Sequence, residues 1–144
     1  MSDPTTLLVI SAVGVPPYSA RGLKQTWAPI SQAVNLQRDV NGTLIDLSPA
    51  QMQKYSSKID CTDQQAPALD GVFPGTQVTV DCTFEWSYLT AGGSPARPVV
   101  AGSSRVEGDF TFYRPQLTMK ITAMDGNFDE YAADYGWSVT LEEV

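Results

Sequence analysis

Apolar and polar side chains follow a two-residue rhythm along this chain far more than a helical one. The rhythm is clearest where Val78, Val80, Cys82, Phe84, Trp86 and Tyr88 alternate with Thr79, Asp81, Thr83, Glu85 and Ser87. Successive side chains of a strand point to opposite faces, so this run predicts a strand with one buried face, starting after the Pro74-Gly75 turn signal. Asn35 to Leu47 predicts a hairpin centred on Asn41-Gly42. Both middle residues of a type I′ turn need φ > 0, which Asn and Gly tolerate best. Leu36, Val40, Leu44 and Ile45 would supply its apolar contacts.

Further strands are predicted at 7–13, 25–30, 56–61, 109–113, 116–124 and 137–142. Ser48-Pro49 predicts one helical turn through Met52, with proline at its first position, and Ala132-Ala133 a second. Short strands separated by turn signals predict an all-β fold, a single-domain antiparallel β-sandwich or barrel spanning residues 1–144. The stretch from Ala91 to Gly108, rich in Gly, Ser and Pro, predicts a long flexible loop or protruding hairpin, of the kind that orders on a partner.

Size fits this picture. A domain of 144 residues buries roughly 68–70% of the surface its unfolded chain exposes, enough for an ordinary core. Charged residues make up 17%, below the roughly 25% of a typical soluble domain, a hint that neighbours cover some surface. The net charge is −7 and the nine Lys and Arg residues are scattered, which argues against a phosphate backbone as partner. Leu7-Leu8-Val9-Ile10 has no basic residue before it and a polar segment from Tyr18 soon after, so it does not read as a signal peptide. No run approaches the 18 or so apolar residues of a membrane helix, and synthesis in the cytoplasm is the expectation.

The chemistry is bounded by what is missing. There is no histidine, which excludes Ser-His-Asp and Cys-His nucleophile systems and removes the commonest ligand of catalytic zinc. Cys61 and Cys82 are too few for a disulfide scaffold or a four-ligand zinc site and read as two buried thiols, although the 20 residues between them would permit a bridge. Asp125-Gly126-Asn127-Phe128-Asp129-Glu130 begins like a calcium loop, but Glu130 stands where the glycine belongs and Gly136 where the bidentate glutamate belongs. It reads as an acidic turn. Nothing in the spacing of Asp60, Asp63, Asp70, Asp81, Glu85, Glu107, Asp109, Asp129 and Glu130 selects a hydrolytic pair. No catalytic, cofactor or metal residue is therefore assigned, and the expectation is a non-enzyme.

Aromatic side chains leave one further option. Trp27, Trp86, Trp137 and the six tyrosines could line a sugar platform, with Trp27 and Trp137 the candidate exposed rings and Trp86 assigned to core packing. Arg21 and Lys24, near Tyr18, would form a polar interface rim.

The run Gly14-Val15-Pro16-Pro17-Tyr18-Ser19-Ala20-Arg21-Gly22-Leu23, the Arg38-Asp39-Val40-Asn41-Gly42 hairpin, Tyr113-Arg114-Pro115-Gln116-Leu117-Thr118-Met119 and the closing Gly136-Trp137-Ser138-Val139-Thr140-Leu141-Glu142-Glu143 together resemble small virion proteins of tailed bacteriophages, of the minor tail or tail-tip kind. The resemblance implies a β-sandwich or barrel core with extended arms, assembly with itself and other virion proteins, and no catalytic residue. The alternatives are a carbohydrate- or receptor-binding β-sandwich that takes a host-surface glycan, and a capsid decoration protein.

Overall fold

The alternating run that begins at Val78 forms two strands, in two different sheets. In the computed structural model, which describes residues 9–11 and 23–144, the chain passes through β1 (Val9–Ile10), β2 (Lys24–Pro29), β3 (Leu36–Arg38), β4 (Leu44–Asp46), β5 (Tyr55–Asp63) and β6 (Gln77–Asp81). It continues through β7 (Trp86–Leu89), β8 (Arg105–Glu107), β9 (Phe110–Tyr113), β10 (Gln116–Asp129) and β11 (Asp134–Glu143). One antiparallel sheet has the order β1-β6-β10-β11-β5-β2, a second β7-β9-β8, and among the described residues β3 and β4 pair only with each other. The fold is all-β, an open sandwich with no closed barrel among the described residues. Most of the predicted segment 7–13, and the run from Gly14 to Gly22 with Tyr18 and Arg21, lie outside the described residues.

The larger sheet is amphipathic because its register brings the apolar positions of successive strands to one side. Val80 stands opposite Leu117, Val78 opposite Met119, Ile121 opposite Leu141, and Val139 opposite Ile59. These residues, with Ile10, Cys61, Cys82 and Trp137, form one buried cluster. Each fully buried aliphatic side chain contributes about 1.5–3 kcal/mol. Leu69 and Val72, from the connection between β5 and β6, cover part of the cluster, and Phe84 and Trp86 cover another part. The opposite face carries Thr79, Thr118, Lys120, Thr140, Ser138 and Lys58, as expected of an antiparallel sheet wetted on one side.

The break between β6 and β7 falls at 82–85. Gln25 Oε1 accepts hydrogen bonds from the Thr83 backbone N–H and hydroxyl, both at 2.9 Å, while Gln25 Nε2 donates to Ser57 Oγ at 3.1 Å. This contact between distant parts of the chain turns the strand out of one sheet and into the next. The alternation survives the corner: Val78, Val80 and Cys82 fill the core, and Phe84, Trp86 and Tyr88 are partly buried beyond it.

Two turns differ from expectation. In the 36–46 hairpin, Gly42 has φ +80° but Asn41 does not have positive φ. The Asp39 carboxylate accepts from the N–H groups of Asn41 and Thr43, and Gly42 N–H donates to the Asp39 carbonyl. That is a type I turn closed by a left-handed glycine, not type I′. The Ala132-Ala133 region forms no helical turn: it reverses β10 into β11, with Ala133 at φ +57°. The helical turn expected after Ser48 is a 3₁₀ turn at Ala50–Met52 with Pro49 at its N-cap, and a further 3₁₀ turn, not foreseen, occupies Ser31–Ala33.

The segment expected as a flexible loop or hairpin, 91–108, ends as a hairpin, β8 pairing with β9. The rest is fastened to the body. Val99 bridges to Pro115, buried Val100 donates its N–H to the Arg114 carbonyl, and Arg97 grips Glu143. Beyond Met124 the residues of β10 are exposed at the end of its hairpin with β11, while β11 stays paired to β5 as far as Tyr135; Asp125, Asp129, Glu130 and Asp134 lie at this end. The calcium-like run is therefore mostly extended strand.

Candidate functional site

At one end of the sandwich the inner faces of the two sheets stay open. Trp27 and Tyr55 lie on the core side of β2 and β5, as the pairing of Trp27 with Ser57 requires. Trp86 and Tyr113 are paired across β7 and β9, and Tyr88 follows Trp86 on the same face. The rings converge. Trp27 lies 5.3 Å from Trp86 and 5.6 Å from Tyr55, Tyr55 lies 4.9 Å from Trp86, and Tyr88 lies 5.9 Å from Tyr113, centroid to centroid. Their edge-on and tilted geometries are those that aromatic quadrupoles favour.

Between them is a cleft of about 260 Å³ lined by Trp27, Tyr55, Trp86, Ser87, Tyr88, Ser94, Ala96 and Tyr113. Ser94 and Ala96 belong to the fastened loop, so that loop is one wall of the cleft. Gly93 permits this closure, because a Cβ there would sit 2.2 Å from the Leu89 carbonyl oxygen and 2.8 Å from the Tyr88 ring. The wall is locked by Arg97. Its Nε donates to Glu143 Oε2 at 2.7 Å, and its Nη2 donates to Glu143 Oε1 and to the Gln53 carbonyl, both at 3.0 Å. The guanidinium also lies 5.3 Å from the centroid of the Tyr55 ring. Glu143 Oε1 accepts the Tyr55 N–H as well, at 2.9 Å. The carboxylate raises the Arg97 pKa above its ordinary value. The two charges satisfy each other and leave the cleft neutral.

One polar atom in the cleft wall is not satisfied: the Trp86 indole Nε1 is buried without a hydrogen-bond partner. A buried donor left unpaired costs about 1–3 kcal/mol.

A second feature stands away from the body. Among the described residues, the β3–β4 hairpin makes no sizeable contact with any other strand. Leu36, Leu44, Ile45 and Leu47 are all exposed, and Val40 at its tip is completely so. Leu36, Arg38, Leu44 and Asp46 share one face by register, and Gln37 and Ile45 the other.

The remaining sequence candidates are scattered. Trp137 is buried in the core at 4% exposure, which removes it as a platform, whereas Trp27 is 45% exposed. Trp86 is split between the roles, packed against the core yet lining the cleft. The candidate carboxylates have separate local partners. Glu85 and Glu107 hold Arg105, Asp81 accepts from Gln116, Asp129 caps the β10–β11 turn, and Asp60 lies 4.0 Å from Lys58. The Arg105 hydrogen bond lowers the Glu85 pKa. Among the described residues no group of three or more Cys, Asp or Glu is placed to hold a metal ion. Cys61 and Cys82 are both buried and are not joined in a disulfide, and burial pushes the Cys82 pKa up to about 12. Tyr55 and the Arg97–Glu143 clasp were not singled out from sequence, because each reaches the cleft only through distant pairing.

Comparison with known protein families, with curated proteins and with solved structures yields no match.

Proposed function

We propose that the chain is a non-enzymatic structural subunit of a tailed-phage virion, in the tail or its tip, that assembles with copies of itself and with neighbouring virion proteins. The virion setting, with synthesis in the host cytoplasm, rests on the sequence resemblance. Assembly is carried by the β3–β4 hairpin. An isolated two-stranded ribbon is marginal in water at best, and this one adds exposed Leu36, Leu44, Ile45 and Leu47 without packing on another strand among the described residues. Burial against a second copy supplies the missing cover. The arm role expected of 91–108 passes to this hairpin, because 91–108 is tied down by its own chain. The low charge fraction of 17% is in keeping with surfaces meant to be covered.

Size-exclusion chromatography with light scattering on the full chain, over a range of concentrations, tests the reading. The expected result is a defined oligomer that Leu36→Lys with Leu44→Lys converts to monomer, with far-UV circular dichroism and melting temperature unchanged. A wild-type protein that stays monomeric throughout, or a double variant that assembles as well as wild type, defeats it.

A further inference from the structure

We infer that the inter-sheet aromatic cleft is a binding site for a neutral saccharide, with Trp27 as the stacking platform. This goes beyond assembly and does not depend on it. Three properties of the cleft select the ligand class. Its walls are aromatic faces, and Trp27 presents a ring that remains 45% exposed although it touches three other rings. The C–H face of a pyranose is an apolar plate that such a ring can cover. Its polar groups are uncharged: Ser87 and Ser94 line it beside the tyrosines. The nearby charges, Arg97 and Glu143, are spent on each other at 2.7 and 3.0 Å, so nothing on the wall calls for an ionic ligand.

Size agrees with this class. About 260 Å³ lies just under the roughly 300–1,000 Å³ of ordinary ligand pockets, room for one sugar unit with the rest of the chain outside. Arg97 acts here as a positioning residue. It holds the loop that contributes Ser94 and Ala96 and lies against the Tyr55 ring.

The test is a titration of the full-length protein with cellohexaose, maltohexaose, chitohexaose and mannohexaose, followed by tryptophan fluorescence and calorimetry. A proline decapeptide serves as the competing class of ligand. At least one oligosaccharide is expected to saturate the signal with a Kd near or below about 1 mM. Trp27→Ala should weaken it about tenfold in a protein that is still folded by far-UV circular dichroism. Should Trp27→Ala fail to fold, Trp27→Phe, which keeps a smaller ring, is expected to bind several-fold more weakly than wild type. Arg97→Ala should raise Kd without abolishing the fluorescence change. Silence of every sugar up to about 10 mM, a response unchanged in the Trp27 variants, or saturation by the decapeptide alone overturns the inference. Light scattering on the same samples reads assembly separately, so loss of sugar binding with intact oligomers strikes this inference and not the structural one.

Discussion

Replacing Arg97 by alanine should destabilise the protein by about 2 kcal/mol, a value bracketed by its surroundings. A fully exposed ion pair is worth about 0–1 kcal/mol, and breaking a fully buried one costs about 3–5 kcal/mol. Here the Arg97 side chain is 22% exposed and that of Glu143 is 9% exposed, so the pair lies between those limits. The two hydrogen bonds to Glu143 are charge-assisted, and the substitution leaves the carboxylate with only the Tyr55 N–H among the contacts described above. For a domain of 144 residues, 2 kcal/mol corresponds to a drop of about 6 °C in Tm. Urea denaturation of wild type, Arg97→Ala, Glu143→Gln and the double variant gives the coupling directly, expected at about 1.5 kcal/mol. Arg97→Lys should recover only part of it, because an ammonium cannot make the bidentate contact. Limited proteolysis should also cut more readily within 91–108 once the clasp is gone. A coupling below about 0.3 kcal/mol would mean that the pair is effectively solvated and that the loop is held by its backbone contacts alone.

Cys82 makes stability depend on alkaline pH. Its thiol ionises near its ordinary value of 9.0 in the unfolded chain and is pushed up to about 12 in the fold, so both states are protonated below about pH 9 and the contribution is fully present there. Between those values only the unfolded chain gives up the proton, so this contribution falls with rising pH by at most about 1.4 kcal/mol per unit. Denaturation of wild type and Cys82→Ala between pH 8 and about 10.5 should show the steeper fall in wild type; parallel curves would refute it. Gly93→Ala should cost about 1–3 kcal/mol by forcing the Leu89 carbonyl or the loop to move, and a variant as stable as wild type would show that the wall of the cleft yields freely.

Much of the fold was legible because burial in a sandwich writes itself as alternation. Val78, Val80, Leu117, Met119, Ile121, Val139 and Leu141 sit where period-two reading puts core residues. The corner at 82–85 was hidden for the same reason, since the inward rhythm continues through Phe84, Trp86 and Tyr88 while the hydrogen bonds that turn the chain come from Gln25. The Asn41-Gly42 signal located a turn correctly, but the Asp39 carboxylate, by capping two amides, chose its type. Composition alone made 91–108 look pliable. Its fastening depends on a glutamate 46 residues beyond Arg97, which no local window contains. The outer end of the β10–β11 hairpin was cut short at Met124 because the β10 residues there are exposed and polar and Asp125-Gly126 mimics a turn. Trp27 was legible as an aromatic candidate; the convergence of Tyr55, Phe84 and Trp86 upon it was not.

The acidic ribbon has a consequence for the geometry of any assembly. Residues 121–144 contain no lysine or arginine and six carboxylate side chains, Asp125, Asp129, Glu130, Asp134, Glu142 and Glu143. Nearly all the excess negative charge thus falls in the last sixth of the chain, and four of those groups lie exposed on the ribbon, the turn end of the β10–β11 hairpin. Each molecule is a lopsided electric dipole, and two copies repel when their ribbon ends meet. Approach in which one copy's ribbon points away from the next is favoured before any contact forms. That bias extends only about 8 Å at physiological ionic strength and lengthens as salt is removed. A stack or ring built under those conditions inherits a direction from the ribbon, with one face more negative than the other.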